Sequence, residues 1–428
     1  MKAGSRTVLG LLVLAVVSTE GHAKNAEEMF ADAARYTVRI DATISRAFIE
    51  DEVGAQHGAG FIVDEKRKWV MTNAHVVGYS PAKLRVEFSD GTTTDASKIY
   101  VDPYIDVAII EFQTASSLIR EAPLGCDQRP GVGHPVGAFG HPWGLNFTGT
   151  RGVVSGATNK LGSKLLQIDA PINGGNSGGP LISMASGKVV GISSASLNKN
   201  DDQNTNFGVP IDQACQILNL LLSGKDPSPP QLDATFYRLL GDNGPLIVAR
   251  SFLPEHLIQL RPGDEIIAAK RVSVSHESDL IQSLRGSLES VRVQIRRGGG
   301  VIEIEGHLNP VPRIVERRGL YFAGILFAEA GYRDRQSLAI GHDVMIHDIE
   351  AGSEASALSL SVYDYVSAVK GEPVESLNHL RKLLSDVKEN SEVQIDFLRF
   401  VENGNTRQLF YSLRRNVASG ELEEIGEW

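Results

Sequence analysis

The sequence predicts a multidomain chain: an all-β unit built as a sandwich or barrel, followed by two small α+β modules. Three observations carry this. From about Tyr36 to Ile211, short runs such as Gly60-Phe61-Ile62-Val63 and Val107-Ala108-Ile109-Ile110 are rich in aliphatic and β-branched residues. Turn signals such as Asp90-Gly91 and Arg129-Pro130-Gly131 separate them, with almost no long helical period. Ser223 to Gln231 (SGKDPSPPQ) then breaks the pattern as a semi-rigid, proline-rich linker. Beyond it, two segments repeat one order of turn, strand, helix and strand.

In the first repeat, Arg261-Pro262-Gly263-Asp264 leads through a strand to a helical Glu277 to Leu284 and the strand Val291 to Ile295. In the second, Tyr363-Asp364-Tyr365-Val366 leads to Ser376 to Leu384 and Val393 to Phe397. One helix, Asp212 to Leu222, is expected to close the β unit with Asp212 as its N-cap.

The chain has 428 residues, 42% of them hydrophobic, which is enough for two or three domains with proper cores. Its formal charge of −10 is dispersed, and no basic stripe supports nucleic-acid binding. Lys2 and Arg6 precede the apolar run Val8 to Val17, and Gly21-His22-Ala23 follows, the pattern of a secretory signal peptide cleaved near Ala23. The run is well short of the ~20 residues a bilayer core requires. No later segment is long and apolar enough to span, so stable membrane insertion is not expected. Cys126 and Cys215 are the only cysteines. Export permits their oxidation, but two cysteines make no disulfide framework, and free thiols are the expectation.

The chemistry gathers around Asn173 to Leu181 (NGGNSGGPL), where one serine sits among glycines before an apolar strand. Glycine is costly to order, so a cluster of it marks a sharp bend or a backbone brought against a reacting atom. A serine hydroxyl is a weak nucleophile without a base, and histidine is the best base near neutral pH. His75 stands at the end of an apolar strand in Thr72-Asn73-Ala74-His75-Val76-Val77. Asp106, just before Val107-Ala108-Ile109, is placed to orient it. Each residue alone has an ordinary structural reading, as one of 11 histidines or as a turn residue. Together, the chain order His, Asp, Ser on a β-rich background is that of the chymotrypsin-type double barrel. Gly175 and Ser177 then supply backbone N–H groups to an oxyanion, each worth about 3–4 kcal/mol in a dry site.

These residues resemble the HtrA/Deg serine proteases. Thr72 to Val77 is similar to their Thr-Asn-x-His-Val-Val, and Asp106-Val107-Ala108 to their Asp-x-Ala. Gly140-His141-Pro142-Trp143-Gly144-Leu145, Gly152-Val153-Val154-Ser155 and Gln167-Ile168-Asp169-Ala170, leading into Gly175 to Pro180, complete the likeness over about Ala31 to Leu222. A weaker resemblance continues into two PDZ-like modules. The division implied is 1–23 signal peptide, 24–222 trypsin-like protease domain, 223–231 linker, 232–312 and 313–416 PDZ-like domains, and 417–428 tail. The fold implied is an all-β chymotrypsin-like double β-barrel plus two small α+β PDZ-like domains.

The resemblance makes His75 the general base, Asp106 its orienting partner and Ser177 the nucleophile. It places Ile172 in one wall of the substrate pocket, and Ile192, Ser193, Ser194 and Ala195 in another. Those walls carry no charge, which implies small aliphatic P1 residues. No cofactor is implied, and no metal, since no histidine and carboxylate cluster has ligand spacing. The expected partners are unfolded proteins or peptides. A homotrimer is expected through Met29, Phe30 and Tyr36, and the location is periplasmic or secreted.

Three departures from the family pattern stand out. Gly174 replaces the usual proline. The first PDZ-like module is short at its front, while Gly319-Leu320-Tyr321-Phe322 in the second is the candidate carboxylate-binding loop. Val362-Tyr363-Asp364 stands where a Pro-Gly-Asp turn is usual. The leading expectation is an ATP-independent serine endopeptidase for unfolded proteins, since the chain has no Gly-x-x-x-x-Gly-Lys-Ser/Thr loop. A client-holding chaperone or scaffold is the rival reading. An esterase shares the triad but leaves the PDZ-like modules without a role.

Overall fold

The computed structural model describes residues 25–114, 119–141, 147–161, 163–194, 206–238, 244–254, 257–331, 344–388, 391–403 and 407–428. The expected signal peptide lies outside them.

Helix α1 (Ala26–Ala33) is followed by two closed antiparallel barrels. The first contains β1 (Thr37–Ile44), β2 (Gly54–Asp64), β3 (Trp69–Thr72), β4 (Lys83–Glu87), β5 (Thr93–Val101) and β6 (Ala108–Phe112), with the short helix α2 (Ala74–Val77) after β3. The second contains β7 (Pro135–Gly140), β8 (Thr148–Leu161), β9 (Ser163–Ile168), β10 (Pro180–Ser183), β11 (Val189–Ser194) and β12 (Asn206–Pro210). Alternation builds these strands. In β1, Val38, Ile40, Ala42 and Ile44 are buried while Arg39, Asp41 and Thr43 face outward. A third cluster joins the barrels, with Phe61, Met71 and Ile109 from the first packed with Phe139, Ile182 and Ile192 from the second. Each such side chain contributes about 1.5–3 kcal/mol on burial, so the seam is a core and not a loose contact.

Three expectations change here. Met29 and Tyr36, assigned to a trimer contact, are buried in the chain's own fold at 6% and 4% exposure. Phe30 stacks on Phe139 at 5.6 Å, and a Cβ on Gly137 or Gly149 would lie 2.8 or 3.0 Å from its ring, so these glycines make room for it. Helix α3 (Ile211–Leu222) is capped by Pro210, and Asp212 lies in its first turn, paired with Arg129 at 3.0 Å. The cysteines are not free: Cys126 and Cys215 form a disulfide, because α3 folds back beside the segment leading to β7 and brings their Cα atoms to 5.8 Å. The second half of the linker is covered by the rest of the fold. Pro227 to Pro230 are buried, which the three prolines tolerate because they have no N–H to leave unpaired, while Ser228 N–H donates to Asp226 Oδ1 at 2.9 Å.

The first C-terminal module is a six-stranded sheet with one helix. It contains β13 (Ala234–Arg238), β14 (Leu246–Ser251), β15 (Glu265–Ala269), β16 (Val272–Ser273), helix α4 (Glu277–Leu284), β17 (Val291–Arg297) and β18 (Gly300–Gly306). The second contains β19 (Gly319–Phe322), β20 (Ile325–Glu329), β21 (Val344–Ile349), β22 (Tyr365–Val369), β23 (Glu372–Pro373), helix α5 (Leu377–Ser385), β24 (Glu392–Asn403), β25 (Arg407–Ala418) and β26 (Leu422–Ile425).

The repeat is visible in its bonds. In the first module the Val248 N–H donates to Asp264 O, and Asp264 Oδ2 lies 2.7 Å from Arg297. In the second, Ile346 N–H donates to Asp364 O, and Asp364 Oδ2 lies 2.6 Å from Arg399. Gly263, at φ +89°, has its counterpart in Tyr363 at φ +70°, so the unusual Val-Tyr-Asp turn keeps the geometry despite the bulky residue.

These matches align β14 with β21, and hence β13 with β20. Among the described residues the first module has no strand beyond β13, whereas the second adds β19 and then β26. Gly319 to Phe322 is therefore not an open carboxylate-binding loop. It is a strand paired with β20 on one side and with β26 on the other, Gly319 opposite Ile425 through Phe322 opposite Leu422. The segment expected as a separate tail completes this sheet.

Candidate active site

Each chemical residue sits where a strand stops. β3 ends at Thr72, whose Oγ1 donates to Ala59 O at 2.7 Å, and the single turn of α2 then carries His75. Asp106 lies on the turn between β5 and β6, closed by an Asp102 N–H bond to Val107 O at 2.8 Å. Its φ of +56° is a left-handed conformation, which aspartate tolerates better than most residues. The Asn73 side-chain amide donates to Asp106 O at 2.8 Å and holds that turn against α2.

The Asp106 carboxylate faces His75. Nδ1 lies 3.0 Å from Oδ1 and 2.9 Å from Oδ2, and the His75 backbone N–H also donates to Oδ1 at 3.0 Å. A carboxylate only accepts, so Nδ1 carries the proton and the Nε2 lone pair is left for chemistry. Burial pulls the imidazole pKa down, but the charge of Asp106 and its hydrogen bond outweigh this, and the pKa is raised from its ordinary value. The ring is not sealed in, since 44% of its side-chain surface remains accessible.

Ser177 comes from the second barrel, on the turn before β10, and is 5% exposed. Its carbonyl accepts from Ala59 N–H at 2.7 Å, and Gly178 N–H donates to Ser193 O at 2.8 Å. A Cβ on Gly58 would meet both Val76 of α2 and Ser177 O at 2.6–2.8 Å, so the helix turn with His75 and the serine turn converge there.

The glycines are explained by the same closeness. Gly178 has φ +84°, and a Cβ on it would lie 2.1 Å from Thr72 Oγ1. A Cβ on Gly179 would lie 2.2 Å from Phe139 O. Gly175 has φ +103°, and its carbonyl accepts from His141 N–H at 3.2 Å. Gly174 is different, with no positive φ and open space where a Cβ would stand.

The pocket expectations fare unevenly. Ile192 is fully buried in the seam between the barrels, and Ile172, at 8%, packs into the core of the second barrel. Neither side chain is an open wall: Ile192 is turned inward by the alternation of β11, and Ile172, on the loop before β10, is packed into the barrel core. Ser193 is buried, and its backbone pairs with Gly178 and Gly179. Ser194 points to the aspartate, its Oγ donating to Asp106 Oδ2 at 3.4 Å. Ala195, and Pro142 to Leu145 of the resemblance motif, lie outside the described residues. Sequence reasoning missed Asn73 and Ser194 as partners of Asp106, although Asn73 lay inside a quoted motif.

A His–Asp pair on one barrel and a glycine-bound serine on the other define the trypsin-like class of serine proteases. The comparisons agree. A sequence model of the trypsin-like peptidase domain matches residues 58–192. Protease Do-like 1, chloroplastic, of Arabidopsis thaliana is 31% identical over 289 residues, covering 61% of this chain and 65% of that protein. The putative serine protease HhoA of Synechocystis is 30% identical over 273 residues, covering 57% and 68%. A probable periplasmic serine endoprotease DegP-like of Brucella suis is 25% identical over 373 residues, covering 82% and 72%. The solved HtrA-type protease AlgW with tripeptide overlays with a TM-score of 0.54 at 24% identity, covering 66% of this chain and 98% of that one. The chain thus spans just under two thirds of the length of the Arabidopsis relative and somewhat more of the other two. It belongs to the HtrA family of serine proteases.

Proposed function

We propose that this protein is an exported, ATP-independent serine endopeptidase that degrades unfolded or damaged proteins through an acyl-enzyme. The observation that carries the reading is the His75–Asp106 pair beside the Ser177 turn, with Nδ1 tied to the carboxylate and Nε2 left as base. Ser177 Oγ attacks the scissile carbonyl carbon while its proton passes to His75 Nε2, and the carbonyl π pair moves to oxygen. The N–H groups of Gly175 and Ser177 stabilise that oxyanion. His75 then gives its proton to the departing amine as the C–N bond breaks, and water repeats the sequence to free Ser177.

The name of the Brucella suis relative supports a periplasmic location, as does the charged and apolar start of this sequence. A preference for small aliphatic P1 residues belongs to the same reading, supported by the uncharged Ser193 and Ser194 beside the nucleophile turn. So does assembly into trimers, which must use a surface other than Met29 and Tyr36, since both are spent inside the chain.

Labelling with a fluorophosphonate followed by casein digestion tests the proposal. We expect label on Ser177, digestion without ATP, and loss of both in Ser177→Ala while unfolded clients still bind. Digestion by a folded Ser177→Ala variant overturns the assignment, and client binding without digestion by the wild type favours a chaperone or scaffold.

A further inference from the structure

Asp102 and Arg285 form an ion pair in which both side chains are completely buried, with Nη1 2.7 Å from Oδ2. They belong to different units. Asp102 opens the turn that carries Asp106, and Arg285 follows α4 in the first C-terminal module. The linker is the third member, since Arg285 Nη1 also donates to Pro227 O at 2.6 Å. Gln282 Oε1 accepts from Arg285 Nε at 2.9 Å and fixes the guanidinium from its own side.

Around Asp102 the bonds of one carboxylate oxygen and of the backbone N–H bear on the Asp106 turn. Oδ1 accepts the N–H groups of Tyr104 and Ile105, both at 2.8 Å, and the Asp102 N–H donates to Val107 O. Oδ2 is held by Tyr100 Oη at 2.7 Å and by Arg285. Tyr100 stays protonated and donating, its pKa pushed well up by burial and then by the Asp102 charge. The carboxylate thus shapes with one oxygen the loop on which Asp106 sits at φ +56°, and is anchored by the other to the neighbouring module. A buried ion pair is weak evidence for stability, because apolar residues of equal volume often serve as well. What apolar residues could not do is hold the Tyr104 and Ile105 amides in place.

We propose that Arg285 and Asp102 are positioning residues for the Ser177 reaction: docking of the first C-terminal module sets the Asp106 turn, and through it the orientation of His75. The inference rests on the serine endopeptidase reading. It assigns the first module a role in catalysis that does not require it to bind a peptide.

The test uses the full chain and the variants Arg285→Met, Arg285→Lys and the neutral pair Asp102→Asn/Arg285→Met. Three quantities are read: kcat and KM on a short peptide, the rate of fluorophosphonate acylation, and the low-field proton resonance of the His75 Nδ1–H bond. Displacing a catalytic group by a fraction of an ångström to 1 Å costs about ten-fold or more, so Arg285→Met should lower kcat and acylation by that factor with KM little changed. Its low-field resonance should weaken or move upfield, and Arg285→Lys should recover most of both.

Should Arg285→Met fail to fold, the neutral pair leaves no unpaired buried charge and yields the same readouts. Wild-type kcat and an unaltered resonance in either folded variant overturn the proposal. The resonance is read whether or not a given peptide is cleaved, so failure of the endopeptidase reading and failure of this tether are distinguishable.

Discussion

Ser194 Oγ and His75 Nδ1 meet the same oxygen of Asp106, Oδ2, at 3.4 and 2.9 Å. The two bonds are unequal. The histidine bond is short and charge-assisted, and the serine bond is long, so the carboxylate is oriented mainly by His75, by the backbone of α2 and by its own turn.

That inequality sets the first prediction. Asp106→Asn should cut kcat by about 10³–10⁴-fold, because an amide can donate to Nδ1 and leave the proton on the wrong nitrogen. Ser194→Ala should cost only about two- to five-fold, as expected for loss of one weak neutral hydrogen bond. Steady-state kinetics on a folded pair of variants checks both, and a larger loss in Ser194→Ala would reverse the ranking.

The pH dependence follows from the same contact. The base must be neutral, and Asp106 raises the His75 pKa, so the acid limb of kcat/KM should lie above the ordinary imidazole value of 6.5. In stability terms a raised folded pKa favours the fold fully below 6.5 and loses that contribution as pH rises through the folded value. Activity therefore appears as that small contribution disappears. Asp106→Asn should move the limb to lower pH, and a pH series of kcat/KM decides it.

The two classes of glycine should behave oppositely. Gly178→Ala, at φ +84° with a Cβ 2.1 Å from Thr72 Oγ1, should abolish Ser177 labelling by forcing the barrels apart. Gly174→Pro should fold, and by reducing loop freedom worth about 0.4–1 kcal/mol should raise basal turnover of a small peptide roughly two- to five-fold. Its effect should shrink once an activating substrate orders the loop. Unchanged basal turnover in a probe-reactive Gly174→Pro variant marks Gly174 as a neutral replacement.

The disulfide predicts a redox response. Cys126 and Cys215 are 89 residues apart, so the bridge restrains a long loop of the unfolded chain. Replacing both by Ala should destabilise the protease domain by about 2–4 kcal/mol. Thermal unfolding with and without reductant measures this, and alkylation of the native protein should find no free thiol.

His347 should make the docking of the second module acid-sensitive. It is 2% exposed, its Nδ1 accepts Ile49 N–H at 3.3 Å, and its ring meets Phe48 edge-on at 5.5 Å. Burial, then the charge of Arg317, pushes its pKa well below the ordinary value. For this depressed histidine the unfolded state takes the proton first, so stability is full above 6.5 and falls as pH drops below it. His347→Gln should flatten the decline in melting temperature between pH 7 and 5. The same docking face includes Ile425 of β26 packed with Phe48, so Ile425→Asp should raise hydrogen exchange in β19.

Much of this molecule could be read locally. Alternation in segments such as Val38 to Ile44 sets a period-two surface with one face for the core, whatever the rest of the chain does. The candidate site was marked out on the same local basis, because His75, Asp106 and Ser177 each sit in a short motif. The duplicated modules showed in the order of their elements, since each repeat folds by its own turn and helix signals.

What could not be read is what depends on distance between remote segments. Ile192 was expected on a pocket wall, but which face of a strand is covered depends on the second barrel meeting the first. The cysteines pair because α3 returns to the segment before β7, and nothing near either residue announces that return. Gly319 to Phe322 has the composition of a binding loop, yet its edge is taken by β26, a strand about a hundred residues later in the chain. Asp102 and Arg285 are ordinary surface residue types until the modules dock, and only then does the loss of water around them require that they pair. Side-chain type and spacing act within a few residues, whereas burial and closure are properties of the whole fold. His75, Asp106 and Ser177 were therefore singled out as candidates from the chain alone, and the groups that support them emerged only from the folded molecule.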